Sequence, residues 1–499
     1  MSNLKDESPV PVLAAERRER MAAALAVDPG HKTWSWRGIQ FILIALCVCC
    51  CSEDAGFDGA VMSGINAMKQ YQAYFGMSES GAQTGIVFGI YTIGALVGSF
   101  PAGGIGAVLS ATATNRGAFI SGRFLTGVGM GCANTSAKSY LAEIVPPQSR
   151  GFWIGLFNSL YGYYIGQMSA TGMMVATGRW TGHELAWRLP LYIQAVPAGI
   201  NVLSVYLCPE SPRWLYANGR KDEARMVLGK LHSSTCNPYS PVVEIEMEEI
   251  EEKTSLDGAD KRFWDFGSLF KTASNRYRTG SAVMVGIFSQ ISGNGMITYF
   301  LPVLLGQAGI TSQDKKLTLT FVNSITSMAG ALTGSAVIDR LGRRTLLLGS
   351  TTMLICILGI IIGLLSSHGN TTQANAGITF IYLFMVTYTF GWTPTHAVYP
   401  AEVLSYQSRA KGLALVNILN KVVSCINTFG LPVALEKLGW KTYVIFLVWD
   451  SFELVMLYMF VVETKGLTLE QIDEIFLEPS TRQHNVSRTA VSNGEEKTV

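Results

Sequence analysis

Apolar residues in this chain fall in long, nearly uninterrupted runs, such as FILIALCVCCC at 41–51 and LLLGSTTMLICILGIIIGLL at 346–365. Runs of about 20 residues are the length at which a helix crosses a bilayer. The pattern predicts eleven spans, near 38–64, 84–105, 118–141, 152–175, 187–208, 280–306, 316–338, 345–366, 376–399, 410–433 and 441–462. Between the fifth and sixth lies 209–278, which contains EIEMEEIEEK and has no room for a membrane segment. It reads as a soluble, partly helical cytosolic loop. The remaining divisions are a cytosolic N-terminal tail at 1–37, a helix bundle at 38–208, a second bundle at 279–462 and a cytosolic C-terminal tail at 463–499.

The two bundles look like a duplication. The span at 118–141 runs into YLAEIVPPQSRGF and a later one ends in YPAEVLSYQSRAKG. Glu143 and Arg150 in the first match Glu402 and Arg409 in the second, each pair 259 residues apart. The halves also close similarly, with PESPRWL at 209–215 and VETKGLTLEQID at 462–473. One feature is unpaired. The second half carries DRLGRR at 339–344, and the first carries no charge between Glu79 and Arg116. Asp339 to Glu402 is 63 residues, whereas Gly103, where the matching turn belongs, to Glu143 is 40. The first half is short by about the length of a turn and most of one helix.

Composition narrows the class. Charged residues are 15% of the chain, hydrophobic residues are 48%, and the mean hydropathy is +0.27. Soluble domains carry about 25% charged residues. A net charge of +2 gives no reason to expect a nucleic-acid partner. Of the nine cysteines, Cys47, Cys49, Cys50 and Cys51 share one apolar run, and no pair has zinc spacing, so they read as small packing residues. The polar N-terminus lacks the short apolar core of a cleavable signal peptide. No nucleophile–base pair, phosphate loop or metal cluster is present in the pattern, so neither an enzyme nor a cofactor is expected.

These motifs resemble the sugar porter family of the major facilitator superfamily, over about 38–475. LTGVGMG with Tyr140, Glu143 and Arg150, then PESPRWL, DRLGRR and ETKGLTLEQIDEIF, carry the resemblance. GFDGAVMSGINAM, QISGNGMITYF and PVALEKLGWKTY are similar to the fungal lactose permease-like branch. The resemblance implies an all-α integral membrane protein with the major facilitator fold, two six-helix halves, and a truncated third helix. It implies a monomeric, multi-pass plasma-membrane carrier in the lipid bilayer, moving a hexose or a disaccharide such as lactose, with protons, by alternating access. A sugar sensor that does not transport, or a truncated inactive product, are the rival readings.

The resemblance also assigns residues. Asp58 in the first span is matched to the proton acceptor, and Arg123 to its partner; Glu53 and Asp54 share the stretch. A charge inside the bilayer is expensive unless paired. Asn158, Gln290, Asn294, Asn323, His396 and Asn420 are matched to the substrate-binding positions, with Ser327 where an asparagine is expected. Tyr299 and Trp392 are candidate aromatics for packing on the sugar ring. The plainer reading of an intramembrane Asn is a helix–helix hydrogen bond of about 1 kcal/mol. Glu143, Arg150, Glu210, Asp339, Arg343, Arg344, Glu402, Arg409 and Glu463 are expected at cytoplasmic span ends, as ion pairs that gate the two halves. The missing turn removes the arginines that should face Glu143 and Glu210. If the third helix is wholly lost, every later span inverts, unless 84–116 makes two short tilted segments hinged at Pro101 and the nearby glycines.

Overall fold

The computed structural model describes residues 10–31, 34–97, 109–146, 149, 153, 163–180, 182–206, 208–259, 266–366, 371–404, 409–465 and 475–476. Among these residues all regular structure is helical. The chain divides into two compact units.

The first unit comprises 1–50, 135–157 and 200–265. It contains α1 (Val10–Val27) and the start of α2 (Trp36–Asn66). It also holds the ends of α5 (Arg116–Ile144) and α7 (Leu185–Val205), then α8 (Pro212–Ala217), α9 (Lys221–His232) and α10 (Pro241–Ala259). The PESPRWL motif is a helix start. Ser211 accepts from the Trp214 amide at 3.1 Å, and Pro212 sits where its missing N–H costs nothing. Leu215, Leu228, Val243, Met247 and Ile250 bury a small core among α8, α9 and α10. The N-terminal stretch is more than a tail. Met21, Ala24 and Leu25, at helical spacing, pack α1 on Val242 and Ile245 of α10. Buried Asp28 then accepts from the Ser234 amide (2.8 Å) and the Ser240 hydroxyl (2.7 Å).

The second unit holds 51–134, 158–199 and 266–499. Its further helices are α3 (Lys69–Phe75), α4 (Ala82–Val97), α6 (Tyr163–Thr177), α11 (Ala273–Ile291) and α12 (Asn294–Gln307). Then follow α13 (Gln313–Leu341), α14 (Arg343–Ser366), α15 (Thr371–Val403), α16 (Arg409–Leu438) and α17 (Lys441–Phe460). Stretches of the last five are long and apolar enough to cross a membrane. Glycines let the backbones approach: a Cβ at Gly334 would come within 2.0 Å of the Phe390 carbonyl, joining α13 to α15.

One expectation changes here, and one open question of direction narrows. The span expected at 280–306 is broken. α11 ends at Ile291, Gly293 turns the chain at φ 81°, and α12 starts at Asn294. Only glycine adopts that backbone cheaply. The open question is direction. Arg116 donates to Gln83 at 3.0 Å, while Cβ atoms at Gly127 and Gly131 would meet the carbonyls of Tyr91 and Ala95 at 2.0 and 2.2 Å. Partners rise together along both helices, so α4 and α5 run parallel. Val97 and Arg116 therefore lie at opposite ends of this parallel pair, separated by the length of α4, about 24 Å. The short first half does not invert the spans that follow. Residues 98–108, where the expected hinge at Pro101 and the missing turn fall, lie outside the described residues; 109–112 form one helical turn at the Arg116 end.

Candidate functional site

Asp58, on the part of α2 that belongs to the second unit, is 1% exposed; Arg123 of α5 is 2% exposed. The guanidinium grips the carboxylate with two hydrogen bonds. Nη2 donates to Oδ2 at 2.9 Å, and Nη1 donates to Oδ1. Fork-to-fork geometry of this kind is the strong form of the Arg–carboxylate pair. Arg123 also lies over the Tyr91 ring of α4, 4.8 Å from its centroid. A third group joins from α7: Gln194 Nε2 donates to Asp58 Oδ1 at 2.6 Å. The sequence reading missed Gln194, whose signal is a lone amide in the apolar stretch LYIQAVPAG. Three helices thus converge on one carboxylate. The side chains of Glu53 and Asp54 lie outside the described residues.

The carboxylate is also close to the second half. A Cβ on Gly59, the next residue, would stand 3.4 Å from the Tyr299 ring of α12. Asn294 begins α12 with an unpartnered Oδ1, and Asn323 on α13 is buried with its Oδ1 unpartnered. Ser327, one turn further, and Gln167 on α6 have buried, unpartnered oxygens as well. α6 faces α13 directly, since Thr171 donates to Ser324 at 3.3 Å. Gln290 stands just before the break; its side chain donates to Ser289 at 3.3 Å, and its carbonyl accepts from Asn427 at 2.9 Å.

Other expected contacts lie elsewhere. Trp392 is fully buried, and its indole N–H donates to Thr351 of α14 at 3.2 Å, which places the ring in packing between α14 and α15. Asn420, its amide turned to donate, reaches the Gly286 carbonyl of α11 at 3.0 Å, a helix–helix bond. His396 Nδ1 lies 3.1 Å from the Trp392 carbonyl in its own helix. Asn158 lies outside the described residues.

The second half's expected gating residues assemble around one turn. Gly342, at φ 94°, separates α13 from α14, and a Cβ there would sit 2.6 Å from Glu463 Oε2. The glycine therefore admits the carboxylate to the start of α14, where the amides of Arg343 and Arg344 donate to it at 2.8 and 3.0 Å. A helix N-terminus is suited to an anion. Arg343 also pairs with Glu402 (2.8 Å) and Asp339 (2.9 Å). Thr464 donates to the other Glu402 oxygen at 2.6 Å, and Arg344 donates to the Tyr458 carbonyl at 2.9 Å. Arg409 reaches the Leu404 carbonyl at 3.4 Å. The first half is held differently. Glu143 accepts from the Ser211 hydroxyl, and Glu210 is exposed. Arg150 lies outside the described residues.

At the opposite end of α13 the halves of this unit are joined. Lys316 donates to both oxygens of Glu79 at 2.8 Å, and Arg179 pairs with Asp314 at 2.8 Å. Gln313 donates to the Gly178 carbonyl at 2.9 Å, and the Gly81 amide to the Pro432 carbonyl at 3.1 Å.

Five membrane-length apolar helices, packed with further helices that bury an ion pair, fit an integral membrane protein with the all-α major facilitator fold. The chain belongs to the Sugar (and other) transporter family, which matches residues 44–476. It is 27% identical to a high-affinity glucose transporter of Kluyveromyces lactis over 493 residues, covering 89% of this chain and 86% of that one. It is also 27% identical to a putative polyol transporter of Arabidopsis thaliana, over 84% and 88% of the two chains. Among solved structures, the partially occluded, inward-open xylose transporter XylE of E. coli matches with a TM-score of 0.68. The match has 19% identity and covers 86% of this chain and 99% of that one. The family is one of multi-pass membrane transporters, not of enzymes.

Proposed function

We propose that the protein is a sugar–proton symporter of the plasma membrane that works by alternating access, with Asp58 as the proton-carrying group. The observation that carries this reading is the buried Asp58–Arg123–Gln194 cluster beside Tyr299. A protonated Asp58 no longer needs Arg123, so the guanidinium is released when the proton arrives. Proton binding and the packing of α2, α5 and α7 are thereby linked. The unpartnered oxygens of Gln167, Asn294, Asn323 and Ser327 are acceptors, and sugar hydroxyls are donors. The substrate we infer is a hexose or a disaccharide such as lactose. Relatives named for glucose and for polyols support a polyhydroxylated substrate.

In this reading the Glu79–Lys316 end faces outside and is closed, and the Gly342 turn faces the cytosol. The clamp of Glu463 and Glu402 on the α14 start holds the second half's cytosolic end together. The first half carries no matching DRLGRR motif in its sequence, and among the described residues its Glu143 accepts from the Ser211 hydroxyl. That asymmetry favours easier opening on the first half's cytosolic side. The test is uptake into proteoliposomes of labelled glucose and lactose, in parallel, with and without an inward proton gradient. Accumulation above equilibrium only with the gradient is expected. Uptake indifferent to the gradient would remove the symport reading while leaving facilitated transport.

A further inference from the structure

α17 carries two carboxyls one turn apart, Asp450 and Glu453, both with no exposed surface. The contacts of Glu453 are Ser292 Oγ, 3.0 Å from Oε2, and the indole N–H of Trp449, which donates to Oε1. Both oxygens of Asp450 are unpartnered, and no ion pair reaches either carboxyl among the described residues. Among the described residues, Tyr388 of α15 is a further titratable group that interacts with both carboxyls.

Hydrogen counting gives the state of Glu453. Ser292 Oγ also lies 2.5 Å from the Phe288 carbonyl, an oxygen that only accepts. A hydroxyl has one hydrogen, and the shorter contact to a pure acceptor claims it. The contact to Glu453 Oε2 then needs its hydrogen from the carboxyl. An ionised Glu453 would leave two acceptors competing for one hydrogen, in an apolar setting without a cation. A neutral acid satisfies every atom: Oε1 accepts from Trp449, Oε2–H donates to Ser292, and Ser292 donates to Phe288.

The place makes this matter. Ser292 ends α11, and Gly293 turns the chain into α12. The last carbonyls of a helix have no partner within it. Here Tyr388 of α15 serves Ser289 at 2.6 Å and Asn427 of α16 serves Gln290 at 2.9 Å, while the Ser292 hydroxyl adds a second hydrogen bond to the Phe288 carbonyl, which also accepts from the Ser292 amide at 3.1 Å. Gln290 and Asn294 flank the break. We propose that Glu453 is a buried carboxylic acid whose proton on Oε2 fixes the break between α11 and α12, making it a positioning residue for Gln290 and Asn294. The functional part rests on the sugar-transport reading; the protonation state does not.

The test uses the full chain in lipid nanodiscs and proteoliposomes, as wild type, Glu453→Gln and Glu453→Ala. An amide reproduces the neutral acid, with its NH2 donating to Ser292 and its oxygen accepting from Trp449. Glu453→Gln should therefore keep the wild-type melting temperature and sugar counterflow. Glu453→Ala should lower the first and reduce the second about tenfold or more. At rising pH, wild-type counterflow should fall where the acid ionises, while Glu453→Gln should lack that limb. The wild-type minus Glu453→Gln infrared spectrum should show a protonated-carboxyl C=O band. If that band is absent, or Glu453→Gln melts as low as Glu453→Ala, the proposal is wrong. These two readouts decide it even for a chain that moves no sugar.

Discussion

Breaking the Asp58–Arg123 pair from either side should be far more damaging than removing both charges. The pair is essentially inaccessible to water, so each charge depends on the other and on Gln194 for solvation. Removing one partner of such a pair costs about 3–5 kcal/mol, because the remaining charge is stranded. Asp58→Asn illustrates the geometry. The carboxylate accepts from Arg123 on both oxygens and from Gln194 on one. An amide offers a single accepting oxygen and turns an NH2 toward donors. Arg123→Gln leaves the carboxylate with only Gln194. The double variant has no net charge to bury, and its cost should fall short of the sum of the singles by about 3 kcal/mol or more. Stability would be read from thermal melting of the purified chain in nanodiscs. Function would be read as uphill accumulation and as counterflow, which needs no net proton movement. Asp58→Asn should lose accumulation and retain part of counterflow. An additive cycle would refute the claim that the pair is held as two charges. Gradient-driven accumulation by Asp58→Asn would refute its role as proton carrier and point to Glu53 or Asp54.

Gly342→Ala should destabilise the α13–α14 turn by about 1–3 kcal/mol, since it forces an L-residue to φ 94° and displaces Glu463; melting of the variant checks this, and an unchanged melt counts against the clamp. Lys316→Met removes the donor to both Glu79 oxygens at the closed end, so a cysteine placed at Gln313 should react faster with a membrane-impermeant thiol reagent than it does beside wild-type Lys316. Asp28 should make the first unit acid-sensitive. Burial works against its charge, but hydrogen bonds from Ser233, Ser234 and Ser240 hold its carboxyl well below the ordinary value of 3.8. A lowered folded-state value means that the stabilisation is present above about pH 4 and is lost as pH falls further. Asp28→Asn should cost about 2 kcal/mol at neutral pH, and limited proteolysis of α8–α10 should rise on acidification in wild type and little in the variant.

Length and apolarity alone placed the five long helices after residue 312, because a span in hydrocarbon satisfies its backbone internally as an apolar helix; the break at Gly293 was not legible that way. The DRLGRR and VETKG motifs were legible for a related reason. A glycine at φ 94° and a carboxylate at a helix N-terminus are local requirements that leave a fixed residue pattern. Asp58 and Arg123 were visible as charges where charges are costly. Beyond the Asp58–Arg123 pair, which the family resemblance implied, pairing across distance was hidden. Nothing local says that Gln194 turns to Asp58, that Asn420 and Trp392 spend their polar groups on neighbouring helices, or that Glu453 meets Ser292 across a break. Direction was also hidden. The short first half left two directions open along the chain, inversion of all that follows or two short tilted segments within 84–116. The parallel contacts of α4 and α5 exclude the first, because helix direction is set by which backbones touch and not by how many residues intervene.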